Sequence, residues 1–295
     1  MTALREKQLL EDVVASFDAK DERLQTIVEA ATRHLHAFVR EVGLTHSEWD
    51  AGISFLTAVG QMCTPERQEM VLLSDVLGVS SQMELTSAPS HDEATANTVL
   101  GPFYVAGSPW RDEGASILES GDPGPRVIMR GCVRDTAGRP IEGATVDVWQ
   151  NASNKLYAVQ DPQQDPNNLR GRFRTSERGS FSFSTVRPVA YAIPDDGPVG
   201  RLLDLVGRHP WRPAHIHFLV TAPGYDPLTT HVFDSDSDYL DSDAVFGVEG
   251  SLVTTFEDAG HQRGALDAEF DFVLTASRGR IRPDREPGRQ HDAHP

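Results

Sequence analysis

The periodicity of apolar residues changes near residue 100, and this change constrains the fold more than any other feature of the sequence. Before it, apolar residues recur at helical spacing and form one stripe. That stripe consists of Leu24, Ile27, Val28, Ala31, Leu35, Phe38 and Val39. After it, apolar and polar residues alternate in short runs separated by glycine and proline turns. The chain is therefore predicted to form helices first and then an antiparallel β-sandwich.

Two helix starts can be placed in the first part of the chain. Thr45 followed by Glu48 has the spacing of a capping box and precedes an apolar run. Thr64 followed by Pro65 has the pattern of a capping residue with proline in the first helical position. The helix after this second signal is predicted to point four side chains inward: Met70, Leu73, Val76 and Leu77.

The second part of the chain carries the strand signals. Alternation is clearest around Val146 and Val148, at Phe181 and Phe183, and from residue 215 to residue 220. We predict a helical region over residues 1–97 and a β-sandwich over residues 98–277. The polar, proline-bearing segment 278–295 is predicted to be disordered.

Composition excludes several classes of protein. The 295 residues carry a formal net charge of -17, which disfavours binding to nucleic acid but leaves room for a small anionic substrate in a cleft. No run of eighteen apolar residues is present, and the charged N-terminus lacks the apolar core of a signal peptide. Only Cys63 and Cys132 carry thiols, too few for a four-thiolate zinc site. These features predict a reducing, cytoplasmic setting.

The pair His215 and His217 is the strongest candidate for metal binding. Side chains two apart on a strand point to the same face, so two imidazoles can share one ion. His34 and His36 have the same spacing on a predicted helix, where they lie about 200° apart and cannot do so. Two histidines need further ligands, such as the carboxylate of a 2-His-1-carboxylate iron site. Tyrosine is rarer than carboxylate here and occurs at positions 104, 157, 191, 225 and 239.

Arg212 precedes this pair by three residues. In a regular strand it would face away from His215, but Pro213 interrupts the strand and allows the guanidinium to turn toward the same pocket. A permanent cation there would suit an anionic substrate. The alternative is an ordinary surface ion pair.

Six segments, read in order, resemble the intradiol dioxygenases, the family of catechol and hydroxyquinol dioxygenases. They are TVLGPFYVAGSP, GRPIEGATVDVWQ, NNLRGRFRT, YAIPDDGPVG, GRHPWRPAHIHF and APGYDPLTTHVF, and the N-terminal LLSDVLGVS extends the match. The resemblance implies a non-haem iron(III) enzyme that opens an aromatic diol with O2. Two rival classes are a non-catalytic β-sandwich binding module and a zinc hydrolase built on the histidine pair, although tyrosinates are poor zinc ligands.

The family motifs imply a ligand set of Tyr157, Tyr191, His215 and His217. Phenolates are hard anionic donors, so such a site favours ferric iron. The resemblance also implies that the diol binds as a dianion in place of Tyr191, and that Arg212 stabilises negative charge that develops in the ring. Ala192 departs from the family, which usually has proline there.

Two further segments imply which members of the family the chain resembles most, and therefore which diol it opens. The acidic stretch DSDSDYLDSDAVFGVEGSLV and His231 in LTTHVF resemble hydroxyquinol dioxygenases, whereas catechol enzymes more often have glutamine at position 231. The family's pocket positions correspond to Leu72, Asp75, Val99, Leu100, Gly101, Ile193, Pro194, Arg212 and Val245. The implied product is 3-hydroxy-cis,cis-muconate, the enol of maleylacetate, with catechol or chlorocatechol cleavage as the alternative. The resemblance also implies a homodimer joined by the helical region, with a phospholipid at the helical interface.

Overall fold

The computed structural model describes residues 2–64, 67–87, 93–260 and 264–277. The predicted disordered tail lies outside the described residues. Contacts divide the chain into two compact units, Met1–Ala58 and Val59–Pro295. Within the described ranges, no helix is both long enough and apolar enough to cross a bilayer.

The first unit is helical, as the sequence predicts. It contains α1 (Thr2–Ala15), α2 (Glu22–Val42) and most of α3 (His46–Gln61). The capping box before α3 is confirmed, because the Thr45 N–H donates to the Glu48 carboxylate at 2.8 Å and the Glu48 N–H donates to Thr45 Oγ1 at 3.3 Å. The apolar stripe on α2 lies on the helix surface, with Leu35 63% exposed and Phe38 51% exposed.

The second unit begins within α3 and includes α4 (Glu69–Val76), α5 (Val79–Ser87) and α6 (Pro198–Leu205). The sequence predicts the border at residue 97, and that border stays a prediction. The compact units divide earlier in the chain because α4 is bonded to the β-rich part. The Val199 N–H donates to Glu69 Oε1 at 3.1 Å, and Arg208 donates to the Val76 carbonyl at 2.5 Å.

Helix α4 differs from the sequence prediction in its start and in its buried face. It begins at Glu69, later than the signal at Thr64 indicates. Leu73 and Val76 are buried as predicted, but Met70 is 47% exposed and Leu77 is 60% exposed. The buried face of α4 also carries Glu69, Leu72 and Asp75, and all three line a pocket. Contacts with distant segments, which periodicity does not report, decide this orientation.

Twelve strands lie among the described residues of the second unit. In chain order they are β1 (Arg126–Asp135), β2 (Thr145–Trp149), β3 (Arg170–Arg174), β4 (Ser180–Val186), β5 (Tyr191–Ala192), β6 (Trp211–Arg212), β7 (His215–Thr221), β8 (Leu228–Asp234), β9 (Val253–Thr254), β10 (Glu257–Asp258), β11 (Ala265–Glu269) and β12 (Phe272–Leu274). One sheet joins β1 with β4, β10, β11 and β12, and a second has the order β3-β2-β7-β8-β9. The sequence predicts antiparallel strands. In the structure, β11 and β12 run parallel to β1, and β9 runs parallel to β8.

The two sheets share one apolar core. Phe183 of β4 contacts Phe173 of β3 and Phe218 of β7, with ring centroids 5.3 Å and 6.2 Å apart. In the second sheet, a residue next in sequence to a core-facing residue points to the opposite face. There, Trp149 of β2 pairs with His217 of β7, and His217 pairs with His231 of β8. This face therefore carries the side chains capable of chemistry.

Candidate metal centre

The two histidines of β7 are buried, and their Nε2 atoms lie close enough together to bind one metal ion. The Nδ1 atom of His215 lies 2.7 Å from the Pro213 carbonyl, which can only accept, so Nδ1 carries the hydrogen. Its Nε2 lies 3.2 Å from Nε2 of His217. Burial lowers the pKa of His215 to about 3 and lowers the pKa of His217 well below its usual value. Both rings are therefore neutral, the form that binds metals.

Two tyrosines meet these histidines. The hydroxyl oxygen of Tyr157 lies 3.0 Å from His217 Nε2. The Tyr191 ring lies 5.4 Å from the Tyr157 ring and 5.5 Å from the His215 ring, measured between centroids. Phe103 stacks on Tyr157 at 4.4 Å and holds its ring in place. The structure thus brings all four predicted ligands into one buried cluster.

The spacing and chemistry of these donors fit an iron ion. Two atoms bound at right angles to one ion, each at about 2.1 Å, lie about 3 Å apart. The observed separations of 3.0 Å and 3.2 Å around His217 Nε2 match this value. Burial raises the pKa of Tyr157 well above its ordinary value, Tyr191 raises it further, and Arg212 and Arg170 oppose the rise. Such a phenol ionises only beside a strong cation, which favours a trivalent metal.

His231 joins the cluster, although the sequence analysis used it only as a marker of the substrate branch. The candidate ligand atoms of His215, His217 and His231 all lie within 4.8 Å of one another. Nδ1 of His231 lies 2.7 Å from Thr98 Oγ1, while its buried Nε2 has no hydrogen-bond partner in the described part of the chain. The alternation in LTTHVF indicates which strand face His231 occupies, but only the strand register places it opposite His217.

Arg212 lies beside the cluster and is held by a partner that the sequence analysis missed. Its Nε donates to Asp243 Oδ1 at 3.0 Å and its Nη2 donates to Asp243 Oδ2 at 3.2 Å. The third nitrogen, Nη1, lies 3.4 Å from His215 Nε2. Burial alone would lower the pKa of Arg212, but Asp243 raises it overall, so the guanidinium stays charged. Asp243 lies in a loop with no periodic signal.

The cluster adjoins a pocket of about 180 Å³. Leu72, Asp75 and Pro194, three of the predicted substrate residues, line it together with Phe103. Asp75 is only 4% exposed, and burial raises the pKa of its carboxyl, against a hydrogen bond from Ser80 and the field of Arg212.

The other predicted pocket residues do not line this cavity. Gly101 has a φ of 74° and lies close to the Tyr–His cluster, since a Cβ there would lie 3.3 Å from His217 Cε1. Val99 and Leu100 precede it in the chain. Ile193 is buried and donates its N–H to the Pro210 carbonyl, and Val245 is buried and donates its N–H to Asp243.

Two family models match the chain. The model described as "Dioxygenase" covers residues 99–276, and the model described as "Catechol dioxygenase N terminus" covers residues 21–95. Among curated proteins, a 6-chlorohydroxyquinol 1,2-dioxygenase of Cupriavidus pinatubonensis is 46% identical over 87% of this chain and 92% of its own length. A catechol 1,2-dioxygenase of Candida albicans is 36% identical over 85% of this chain and 84% of its own.

A solved structure agrees with these matches. The hydroxyquinol 1,2-dioxygenase of Pseudomonas putida DLL-E4 superposes with a TM-score of 0.86 at 46% identity. The superposition covers 94% of this chain and 100% of that one. The similarity therefore extends over the helices and the sheets alike.

Proposed function

The chain belongs to the intradiol ring-cleavage dioxygenase family, and we propose on this basis that it opens hydroxyquinol (benzene-1,2,4-triol) with O2. The carbon–carbon bond between the two adjacent hydroxyl-bearing carbons breaks, and both atoms of O2 enter the product. That product is the diacid 3-hydroxy-cis,cis-muconate, the enol of maleylacetate. The buried Tyr–His cluster beside Arg212 and Asp75 is the observation that supports this proposal.

Intradiol dioxygenases use non-haem iron, and the proposed ion is iron(III) held by Tyr157, Tyr191, His215 and His217. The separations around His217 Nε2 and the neutral state of both imidazoles support this ligand set over a carboxylate site. Bound iron(III) withdraws electron density from a chelated diolate and makes the ring reactive toward O2.

The protein's own residues prepare that ring. Tyr191 is 4% exposed and faces Arg212 across the β5–β6 ladder. We assign to Tyr191 the role of the base whose phenolate oxygen would remove a proton from the incoming diol. Arg212 directs Nη1 toward the cluster and stabilises negative charge that develops on the ring. Phe103 covers Tyr157 and limits the access of water.

Asp75 is proposed to select the substrate, because a buried carboxylate is a strong acceptor for the extra hydroxyl of hydroxyquinol. Catechol would leave that carboxylate without a partner. We expect wild-type protein to prefer hydroxyquinol, and Asp75→Asn to narrow the preference by about 1–3 kcal/mol, the range for a hydrogen bond to a charged group. The measurement is kcat/KM for both diols in each protein.

Glu69 provides the matched control for Asp75. It is a carboxylate that lines the same pocket, but Arg67 and the Val199 N–H already engage it. Glu69→Gln should leave the ratio of the two kcat/KM values unchanged. A wild-type preference for catechol, or an unchanged ratio in Asp75→Asn, would remove Asp75 from this role.

The first unit is proposed to form a homodimer interface with a phospholipid between the helices. Its surface groove has a volume of about 720 Å³ and is lined by Leu9, Leu35, Val39 and Leu44, among others. Several of the large side chains on α2 are about half exposed, an apolar face that a second copy would cover.

Light scattering tests the dimer. Wild-type protein is expected to have twice the mass of one chain, and Leu35→Glu is expected to shift it toward the monomer, because a charge would be buried in the interface. Leu205→Glu is the control, since Leu205 is 85% exposed on α6 in the other unit. A monomeric wild-type protein at micromolar concentration contradicts the proposal.

The proposed lipid has its own test. Mass spectrometry of an organic extract of the purified protein should detect a phospholipid in wild type and less of it in Leu35→Glu.

The proposed cellular setting is the reducing cytoplasm, which suits the two unpaired thiols of Cys63 and Cys132.

A further inference from the structure

Asp243 forms a buried charge pair with Arg212 that the catalytic roles above do not use. The two side chains are 2% and 3% exposed. Each carboxylate oxygen of Asp243 accepts one guanidinium bond and one backbone bond, from the Val245 N–H at 3.3 Å to Oδ1 and from the Gly247 N–H at 3.0 Å to Oδ2. The loop around residue 243 therefore fixes the carboxylate, and the carboxylate fixes two of the three guanidinium nitrogens.

A second buried carboxylate lies within the electric field of the same cation. Asp75 of α4 lies in the field of both Arg212 and Asp243, which act on its pKa in opposite directions. Asp75 also accepts a hydrogen bond from Ser80. Two buried acids therefore lie within the electric field of one arginine, and only Asp243 is hydrogen-bonded to it. An arginine without Asp243 would be drawn to Asp75, since each would otherwise be a buried charge without a partner.

We propose that Asp243 is a positioning residue that keeps Arg212 paired away from Asp75. This arrangement has two consequences. Of the three guanidinium nitrogens of Arg212, only Nη1 faces the Tyr–His cluster. The cation therefore acts on the substrate ring from one fixed place. Asp75 keeps an oxygen free for the third hydroxyl of the substrate. Asp243 thus determines selectivity through Arg212 and Asp75 without touching the substrate. The inference rests on the proposed function, because it concerns the choice between hydroxyquinol and catechol.

Asp243→Asn tests the proposal, because the amide keeps the shape and removes the charge. The ratio of kcat/KM for hydroxyquinol to that for catechol should fall by roughly 10–100-fold, the equivalent of one hydrogen bond to a charged group. In the double variant with Asp75→Asn, the ratio should equal that of Asp75→Asn alone, because both changes disable the same acceptor. Asp243→Glu, which keeps the charge, should recover much of the ratio.

Asp234 provides a matched control. It is a buried acid that binds Arg187 through both oxygens, at 2.5 Å and 2.9 Å, and its side chain is 3% exposed. Asp234→Asn should lower stability without changing the substrate ratio. An unchanged ratio in Asp243→Asn, or a ratio that falls equally in Asp234→Asn, overturns the proposal.

Gly247 gives a second variant should Asp243→Asn fail to fold. A Cβ at Gly247 would lie 3.1 Å from Arg212 Nη2 and 3.2 Å from Asp243 Oδ2, so Gly247→Ala displaces the pair while keeping both charges. The substrate ratio should fall here as well, and a wild-type ratio contradicts the proposal.

A readout without turnover separates this inference from the proposed function. In metal-free protein with 15N-labelled arginine, the Nε–H of Arg212 should exchange slowly with water in wild type and rapidly in Asp243→Asn. A wild-type protein that does not cleave hydroxyquinol would refute the proposed function. Equal exchange rates, or an active Asp243→Asn with the wild-type preference, would refute this inference alone.

Discussion

Replacing Tyr157 with phenylalanine is expected to remove the visible colour of the iron-loaded protein and to abolish ring cleavage. We expect this colour to arise from charge transfer between a tyrosinate and iron(III), and the Tyr157 oxygen lies 3.0 Å from His217 Nε2. Phenylalanine keeps the ring that stacks on Phe103, so the fold should persist. The loss of iron affinity should exceed the roughly 10–100-fold typical of losing an outer partner of a metal ligand. Absorption spectra and iron content measure both effects.

His231→Gln is the control that distinguishes the two possible donor sets. If iron is held by Tyr157 with His215 and His217, the His231 variant should keep its iron and its colour. A site made of the three clustered histidines predicts the reverse, with colourless wild-type protein and metal lost in His231→Gln. Full colour and full iron content in Tyr157→Phe would remove Tyr157 from the site.

Replacing Arg212 with alanine is expected to leave iron and colour in place and to lower kcat by roughly 10²–10³-fold, the usual effect of removing one donor that faces developing charge. The proposed ligands are expected to bind iron without Arg212, whose Nη1 faces the cluster at 3.4 Å from His215 Nε2. Single-turnover kinetics with hydroxyquinol and O2 measure the loss at the chemical step.

The alanine variant also leaves Asp243 buried without its partner, which costs stability. The double variant Arg212→Ala with Asp243→Asn removes both charges together. It should unfold at a higher temperature than Arg212→Ala and have the same low kcat. Loss of colour in the double variant would indicate that Arg212 holds the ligand loop rather than stabilising charge.

The features that the sequence predicted are those that depend on near neighbours. Thr45 and Glu48 lie three residues apart, and their capping box forms as expected. Alternation on β7 is a local property too, and it places His215 and His217 on one face of the strand. The order of helices followed by strands is confirmed for the same reason.

The features that the sequence could not predict depend on distant partners. Alternation is identical in parallel and antiparallel strands, so the parallel pairing of β11 and β12 with β1 gave no signal. His231 stands opposite His217 only through the register of β8 on β7. Asp243 reaches Arg212 from a loop 31 residues away. Tyr157 and Tyr191 could be named as ligands only through the resemblance to the family, since no spacing relates them to the histidine pair.

We propose that this protein cleaves hydroxyquinol between its two adjacent hydroxyl-bearing carbons. The most direct measurement is the structure of the product, determined by nuclear magnetic resonance after the purified, iron-loaded protein has consumed hydroxyquinol and O2. We expect the open-chain diacid 3-hydroxy-cis,cis-muconate or its keto form, maleylacetate. A semialdehyde from cleavage beside the diol, or recovery of intact hydroxyquinol, would contradict it.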